Sequence, residues 1–225
     1  MNKKAQNIIE FYTLTNTLKD LVRSGYKRWN IERDRVESVA EHTFSTCMLA
    51  IAIDSEYNYD IDMNKVLKML VVHEMEEIFI GDITPVDNVT DEEKHKLGKE
   101  AVAKVFKSLM KKEEYQELII EFDDLSSKEA IFAKMCDKLD AEIQVKLYEE
   151  EGALDINKPE NEKMMNTKEV ISLIETGAEL SVFGLFREYD KNHYKGENKE
   201  AFIEISKYLS ENEILNANSK LTNIR

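Results

Sequence analysis

The sequence predicts an all-helical protein, and three observations support that fold class. Only seven Gly and two Pro interrupt 225 residues, so the chain has few of the turn residues that a many-stranded fold needs. Ala, Leu, Glu and Lys, which favour helices, are abundant. Apolar residues recur at steps of three and four, often after a Ser, Thr or Asp that suits a helix N-cap. We therefore expect a helical bundle.

A single domain is expected over residues 1–215. The chain is 42% hydrophobic, which is enough for one sizeable core, and its composition does not shift sharply enough to mark a second domain. The polar end of the chain, residues 216–225, is predicted to be a disordered tail.

Three helices are expected in the first part of the chain. Apolar spacing predicts an amphipathic helix over 5–24, and an Arg-rich loop follows it. A helix over about 36–54 is apolar on every side, so we expect it to run through the middle of the bundle. The third helix begins after Asp62, a suitable N-cap, and ends at about Ile80, before Gly81.

Four further helices are predicted downstream. Three of the starts combine Ser, Thr or Asn with a Glu three residues later, namely Thr90, Ser126 and Asn166. One predicted helix runs from Thr90 to about Lys111 and another from Ser126 to about Glu150. The other two cover about 167–190 and 198–211.

Charge and cysteine usage restrict the partners and the compartment. A formal net charge of -14 repels polyanions, which argues against nucleic acid polymers and anionic membranes as partners. The first residues do not resemble a signal peptide and no apolar run is long enough to span a membrane, so a cytoplasmic location is expected. Cys47 and Cys136 lie within helical apolar patterns and are predicted to be reduced core residues.

Basic residues are gathered in one short segment of this otherwise acidic chain. They are Arg23, Lys27, Arg28, Arg33 and Arg35. Such a cluster could bind a small anion, or it could be a solvated basic loop, and charge alone leaves both interpretations open.

Three of the predicted helices carry metal-ligating side chains within apolar sequence. These are His42, the adjacent pair His73 and Glu74, and Asp137. A carboxylate or imidazole in a core costs several kcal/mol unless it is paired, and a shared divalent cation would pair all four at once. Two imidazoles and two carboxylates would leave positions on an octahedral ion for water and a phosphoryl oxygen, as in a hydrolase.

Each of these motifs also has an ordinary structural interpretation. A lone core histidine such as His73 is more often satisfied by a backbone carbonyl than by a metal, and the acidic run after it could be a solvated patch. Asp137 could face solvent, because charged neighbours indicate a wet side of its helix. Those neighbours are Lys134, Lys138, Asp140 and Glu142. His193, in a polar stretch, is expected at the surface.

Taken together, the four residues are more specific than any one motif. A His, then a His followed at once by an acid, then a distant Asp, each on a separate helix, resembles the HD-domain phosphohydrolases. Within that superfamily, HEMEEIFIGDITPVDNVTDEEKHK, RWNIERDRVESVAEHTF and EAIFAKMCDKLDAE are similar to segments of the HD-domain 5'-deoxynucleotidases. The resemblance implies a metal-site core over about 5–150 and fades downstream, where the helical pattern predicts a C-terminal helical extension over about 165–211.

The resemblance also implies roles for individual residues. Glu77 and Asp82 would position water and relay protons. The implied substrate-binding residues are Arg28, Trp29, Thr84 and Pro85. Trp29 could equally be a packing residue at the junction of a loop and a helix.

The implied activity is removal of the 5'-phosphate from deoxyribonucleoside monophosphates by a homodimer that holds one divalent ion (Mn, Co, Zn, Fe or Mg). One residue departs from the family pattern, because its His-Asp doublet is His73-Glu74 here. Glu74 leaves open a non-catalytic module that binds nucleotide or metal. A further alternative is an HD phosphohydrolase acting on another nucleotide or phosphoester.

Overall fold

The computed structural model describes residues 2–87 and 89–215, and within them the predicted all-helical class is confirmed. This part of the chain contains no β-sheet, only an isolated bridge between Val22 and Ser38. The predicted tail, 216–225, lies outside the described residues. The α-helices are α1 Lys3–Thr15, α2 Ser24–Arg28, α3 Val39–Tyr57, α4 Met63–Val72, α5 Glu77–Ile80, α6 Asp91–Phe106, α7 Lys112–Asp124, α8 Lys128–Glu150, α9 Glu162–Met165, α10 Lys168–Glu175, α11 Val182–Asp190 and α12 Lys199–Glu211.

Helix α8 is the central helix of the bundle. It contacts α3, α4, α7, α11 and α12, and it is the longest helix, with 23 residues. Phe132, Met135 and Leu139 are fully buried along it. Since α11 and α12 both lie against α8, the helices after residue 165 cover the core.

The predicted position of α3 in the middle of the bundle is wrong. Phe44, Met48 and Ile51 lie on one face of the helix and are 67%, 48% and 45% exposed. The inner face contacts α4 and α8, and it carries His42, which is fully buried. A helix that is apolar all round gives no pattern from which to choose its inner face, so the sequence could not show that one side stays uncovered.

The first predicted helix is interrupted before residue 24. Helix α1 ends at Thr15, and a short 3-10 turn covers Asn16–Lys19. Side chains of Thr15 and Asn16 both donate to the carbonyl of Tyr12 at 3.0 Å, and such local bonds compete with the helical ladder. The chain then pairs with the segment before α3, where Arg23 N–H donates to the Glu37 carbonyl at 3.0 Å.

The third predicted helix is divided at His73. The Asp62 side chain caps α4 as predicted, accepting from the N–H groups of Asn64 and Lys65, but α4 ends at Val72. A turn over 73–76 separates it from α5, which ends at Ile80 before Gly81 with φ 74°.

Boundaries in the rest of the chain differ from the predictions in several places, and α6 ends at Phe106 instead of at about Lys111. The stretch after residue 111 forms α7, a helix that the capping patterns did not indicate. The N-cap of α8 is Ser127, whose hydroxyl accepts from Ala130 N–H at 3.1 Å, one residue after the predicted Ser126. The predicted helix over 167–190 is two helices, α10 and α11, with Gly177 at φ 102° between them.

The remaining predictions concern the cap of α6, the two cysteines and membrane-spanning helices. The Thr90 capping box at the start of α6 is confirmed. Cys47 and Cys136 are both free, as predicted, with Cys136 buried. Among the described residues, none of the helices is both long enough and apolar enough to cross a membrane.

Candidate metal centre

The structure brings the four predicted ligand residues together. One nitrogen or oxygen atom from each of His42, His73, Glu74 and Asp137 lies within 4.8 Å of the others. His42 Nε2 is 3.1 Å from Asp137 Oδ1 and 3.6 Å from Glu74 Oε1. His73 Nε2 is 3.4 Å from Glu74 Oε1 and 3.9 Å from Asp137 Oδ1.

These residues come from three separate elements, as the sequence predicted. His42 lies in the first turns of α3, after a capping box in which Ser38 and Glu41 bond reciprocally. His73 is the C-cap of α4, and Glu74 occupies the turn after it. Asp137 lies near the middle of α8. Because α3, α4 and α8 contact one another, their ligand-bearing faces meet inside the bundle.

Both imidazoles are oriented by a hydrogen bond at Nδ1, the ring nitrogen that faces away from the cluster. His42 Nδ1 lies 2.7 Å from Asp140 Oδ2, and His73 Nδ1 donates to the Leu70 carbonyl at 2.7 Å. Each Nε2 therefore faces the cluster. His73 Nε2 is buried and has no hydrogen-bond partner in the described part of the chain. A buried imidazole nitrogen left without a partner is costly unless it binds a ligand, and metal-binding histidines are held in this way.

The cluster keeps its carboxylates ionised. Burial raises the pKa of Glu74, but the His73 imidazole and the Arg23 guanidinium outweigh it and lower that pKa to about 2. Burial also raises the pKa of Asp137, but the ammonium groups of Lys138 and Lys134 hold it well below its usual value. Negatively charged oxygen donors are thus available at neutral pH.

The histidines respond to burial in different ways. Burial and Arg23 lower the pKa of His42, but hydrogen bonds with Asp137 and Asp140 outweigh them and raise it to about 9. Burial lowers the pKa of His73, which favours the neutral ring that a metal binds. Two imidazoles with two carboxylates form a donor set that suits a divalent cation of hard or borderline character.

Glu74 reaches the cluster despite its longer side chain. Its Oε1 approaches both imidazoles and also accepts a hydrogen bond from Arg23 Nη1 at 3.1 Å. Arg23 therefore holds the carboxylate of Glu74, the residue that stands where the doublet of the family has Asp. The sequence placed Arg23 in a basic cluster but did not indicate this contact.

The model of the HD domain matches residues 15–178. The chain belongs to the HD-domain family. The curated 5'-deoxynucleotidase HDDC2 of Dictyostelium discoideum is 32% identical over 152 residues, which is 64% of this chain and 79% of that protein. The human 5'-deoxynucleotidase HDDC2 is 34% identical over 150 residues, covering 65% of this chain and 70% of that protein.

Solved structures show the same fold as this HD domain. The PH0347 protein of Pyrococcus horikoshii is 28% identical with a TM-score of 0.55, covering 82% of this chain and 97% of that one. A predicted metal-dependent phosphohydrolase of Magnetospirillum magnetotacticum, 19% identical, has a TM-score of 0.59 and covers 92% of this chain and 94% of its own. At 19% identity, the Magnetospirillum magnetotacticum structure is evidence for the fold alone.

The predicted proton-relay residues lie beside the predicted metal ligands. Glu77 is 7% exposed, and its Oε2 is buried without a hydrogen-bond partner among the described residues. Burial, Glu74 and Asp82 together raise the pKa of Glu77 well above its usual value. Asp82 Oδ2 accepts from Ser24 N–H at 2.6 Å, which ties the loop after α5 to the start of α2.

Two of the predicted substrate-binding residues, Arg28 and Thr84, share one partner. Arg28 forms an ion pair with Asp87, and Thr84 donates to the same carboxylate from its backbone N–H and its hydroxyl, each at 2.8 Å. Pro85 follows on the exposed side of this turn. Trp29 is 3% exposed and packs in the main core, as the packing alternative describes.

The prediction that the charged neighbours of Asp137 face solvent is wrong for Asp140 and Glu142. Asp140 and Glu142 are 6% and 0% exposed. Asp140 supports His42, and Glu142 accepts from the hydroxyl groups of Tyr194 and Ser206. The three-residue step from Asp137 to Asp140 places both carboxylates on one helical face, and this spacing is the signal that could have identified Asp140.

Asp140→Asn is expected to lower metal affinity about 10- to 100-fold, the usual cost of losing an outer partner of a ligating histidine. An amide can bond His42 Nδ1 only weakly as an acceptor and carries no charge to fix the ring. Titration of the apo protein with manganese by calorimetry measures the change. Asp155→Asn, in the loop after α8, is the control and should bind manganese as the unmodified protein does.

Proposed function

We propose that this HD-domain protein is a metal-dependent 5'-deoxynucleotidase, which removes the 5'-phosphate from deoxyribonucleoside monophosphates. The observation that carries the proposal is the set of four convergent donors, three of them buried and Glu74 half-buried, with an unpartnered His73 Nε2 among them. The names of the curated relatives supply the substrate class. Their alignments cover about two thirds of this chain.

In this proposal the metal is held by His42, His73, Glu74 and Asp137. A bound divalent ion supplies a Lewis acid that polarises the phosphoryl group and lowers the pKa of water. Elemental analysis of the purified protein would identify the ion, for which manganese, cobalt, zinc, iron and magnesium are the candidates.

Glu77 is proposed to carry the proton in the reaction. Its raised pKa allows Oε2 to take up a proton from the attacking water and to return it to the leaving 5'-oxygen. Asp82, through its charge, helps to raise that pKa. The absence of a competing hydrogen bond to Glu77 Oε2 among the described residues leaves this oxygen available.

Arg28, Trp29, Thr84 and Pro85 are proposed to bind the nucleotide. The Asp87 carboxylate connects Arg28 with Thr84, so one acid holds two of these groups in a fixed arrangement. Trp29, being buried, would act mainly by fixing the backbone next to Arg28.

A nucleotide screen tests the proposed reaction. The protein is incubated with manganese or cobalt and with monophosphates, polyphosphates and cyclic nucleotides, and released phosphate is measured. We expect release from deoxyribonucleoside monophosphates. Activity on polyphosphorylated or cyclic nucleotides with none on monophosphates would instead support another HD phosphohydrolase.

Restoring the usual doublet tests the non-catalytic alternative, which Glu74 motivates. Because Glu74 already reaches both imidazoles, we expect Glu74→Asp to stay active and to change the rate by no more than about tenfold, the effect of a small shift in ligand position. If neither the native chain nor Glu74→Asp releases phosphate while both bind nucleotide, the protein is a binding module.

We also propose a cytoplasmic homodimer. The exposed stripe of Phe44, Met48 and Ile51 on α3 is the surface that a second copy would cover, because contiguous apolar side chains favour burial. Light scattering at micromolar concentration is expected to give twice the chain mass, and a monomer would contradict the dimer.

A further inference from the structure

The ligand Asp137 has two oxygens with different surroundings. Oδ1 faces the imidazoles, at 3.1 Å from His42 Nε2. Oδ2 faces two lysines of the same helix, with Lys134 Nζ at 3.0 Å and Lys138 Nζ at 3.7 Å. Two ammonium groups therefore lie immediately beside the metal-ligand set.

The two lysines differ in how fully they are bonded. Lys134 donates a hydrogen bond to Asp137 Oδ2, and its ammonium lies 4.5 Å from the centre of the Phe122 ring. Lys138 makes no hydrogen bond within the described residues; its ion pair with Asp137 is longer than a hydrogen bond. Its side chain is only 23% exposed, so three N–H donors have limited access to water.

Helix α11 contributes to the surroundings of Lys138. Asp190 and Tyr189 of this helix lie close enough to Lys138 to interact with its charge. Lys138 is an ammonium at neutral pH with or without an ion-pair partner, because the usual pKa of a lysine is about 10.4. Asp190 lies beyond residue 178, where the match to the family model ends.

We propose that Lys138 binds the phosphoryl group of the substrate. A divalent ion would offset the charges of Glu74 and Asp137, which leaves Lys138 as a cation with unused donors at the edge of the site. Phosphoryl oxygens are strong acceptors for such donors. Arg28, by contrast, already has the Asp87 carboxylate as its partner. This inference rests on the proposed function for its substrate, but it concerns binding of phosphate and can be measured without turnover.

The test compares Lys138→Gln and Lys138→Met with Lys138→Arg. Lys146→Gln is the matched control, because Lys146 lies two turns further along α8, is 17% exposed and pairs with Glu150. Binding of inorganic phosphate to the manganese-loaded proteins is measured by calorimetry, together with kcat, KM and metal content. Circular dichroism establishes that each variant is folded.

We expect Lys138→Gln and Lys138→Met to weaken phosphate binding and to raise KM about ten- to hundredfold, as for loss of a charged hydrogen bond. Metal content should stay at the native level, and Lys138→Arg and Lys146→Gln should bind phosphate nearly as the native protein does. Native phosphate affinity and KM in both neutral variants would overturn the inference. A native protein that binds phosphate through Lys138 but hydrolyses no deoxyribonucleotide would overturn the proposed function alone.

Discussion

Asp137→Asn is expected to abolish phosphate release and to remove the metal from the protein. Asp137 Oδ1, like Glu74 Oε1, lies within 4 Å of both histidine Nε2 atoms, so both imidazoles converge on it. The amide keeps the shape of the side chain and loses its charge. Since loss of an outer-shell partner alone costs about 10- to 100-fold in metal affinity, loss of a direct ligand should cost more. Phosphate release and metal content by elemental analysis are the measurements.

Glu129→Gln is the control for this experiment. Glu129 is another buried carboxylate of α8, two turns earlier, and it accepts from the backbone of Asp62. The control should therefore keep both metal and activity. Full metal content and native activity in Asp137→Asn would show that Asp137 is not a ligand.

Glu77→Gln is expected to lower kcat about 10²- to 10⁴-fold while the protein keeps its metal, which is the usual loss when a general acid-base group is removed. Glu77 is buried beside Glu74, and its Oε2 has no other partner among the described residues. Because the substitution removes a buried acid near two other acids, the free energy of unfolding should not fall by more than about 1 kcal/mol. Steady-state kinetics with manganese and thermal unfolding provide the two measurements.

The adjacent Glu76→Gln serves as the matched control. The Glu76 carboxylate lies against Gly98 of α6, where an added Cβ would come within 3.2 Å of its Oε2. Its removal should leave kcat within about threefold. An equal loss in both variants, or no loss in Glu77→Gln, would contradict a proton-carrying role for Glu77.

Much of the site was predictable because a polar side chain in a core requires a partner. His42, His73 and Asp137 each interrupt apolar helical sequence, and the structure places all three in the interior. Capping residues were equally informative, since Asp62 and Thr90 cap the helices expected of them. Both signals are local, so a single sequence reveals them.

The remaining features depend on contacts between distant segments. The sequence did not show that α4 would stop at Val72, where His73 bonds the Leu70 carbonyl and the chain turns before Glu77. It assigned Asp140 to a solvated face, because a charged residue in a helix is usually exposed and its partner His42 lies 98 positions away. The sequence also did not show the exposed face of α3. Apolar residues are usually buried, and nothing in an apolar sequence indicates which of them a neighbouring helix leaves uncovered.

Anomalous diffraction from crystals grown with manganese tests the account most directly, because it locates the ion without reference to turnover. We expect one peak per chain, bonded to Nε2 of His42, Nε2 of His73 and carboxylate oxygens of Glu74 and Asp137. A structure at full manganese occupancy with the ion elsewhere, or with these four side chains turned away from one another, would contradict it.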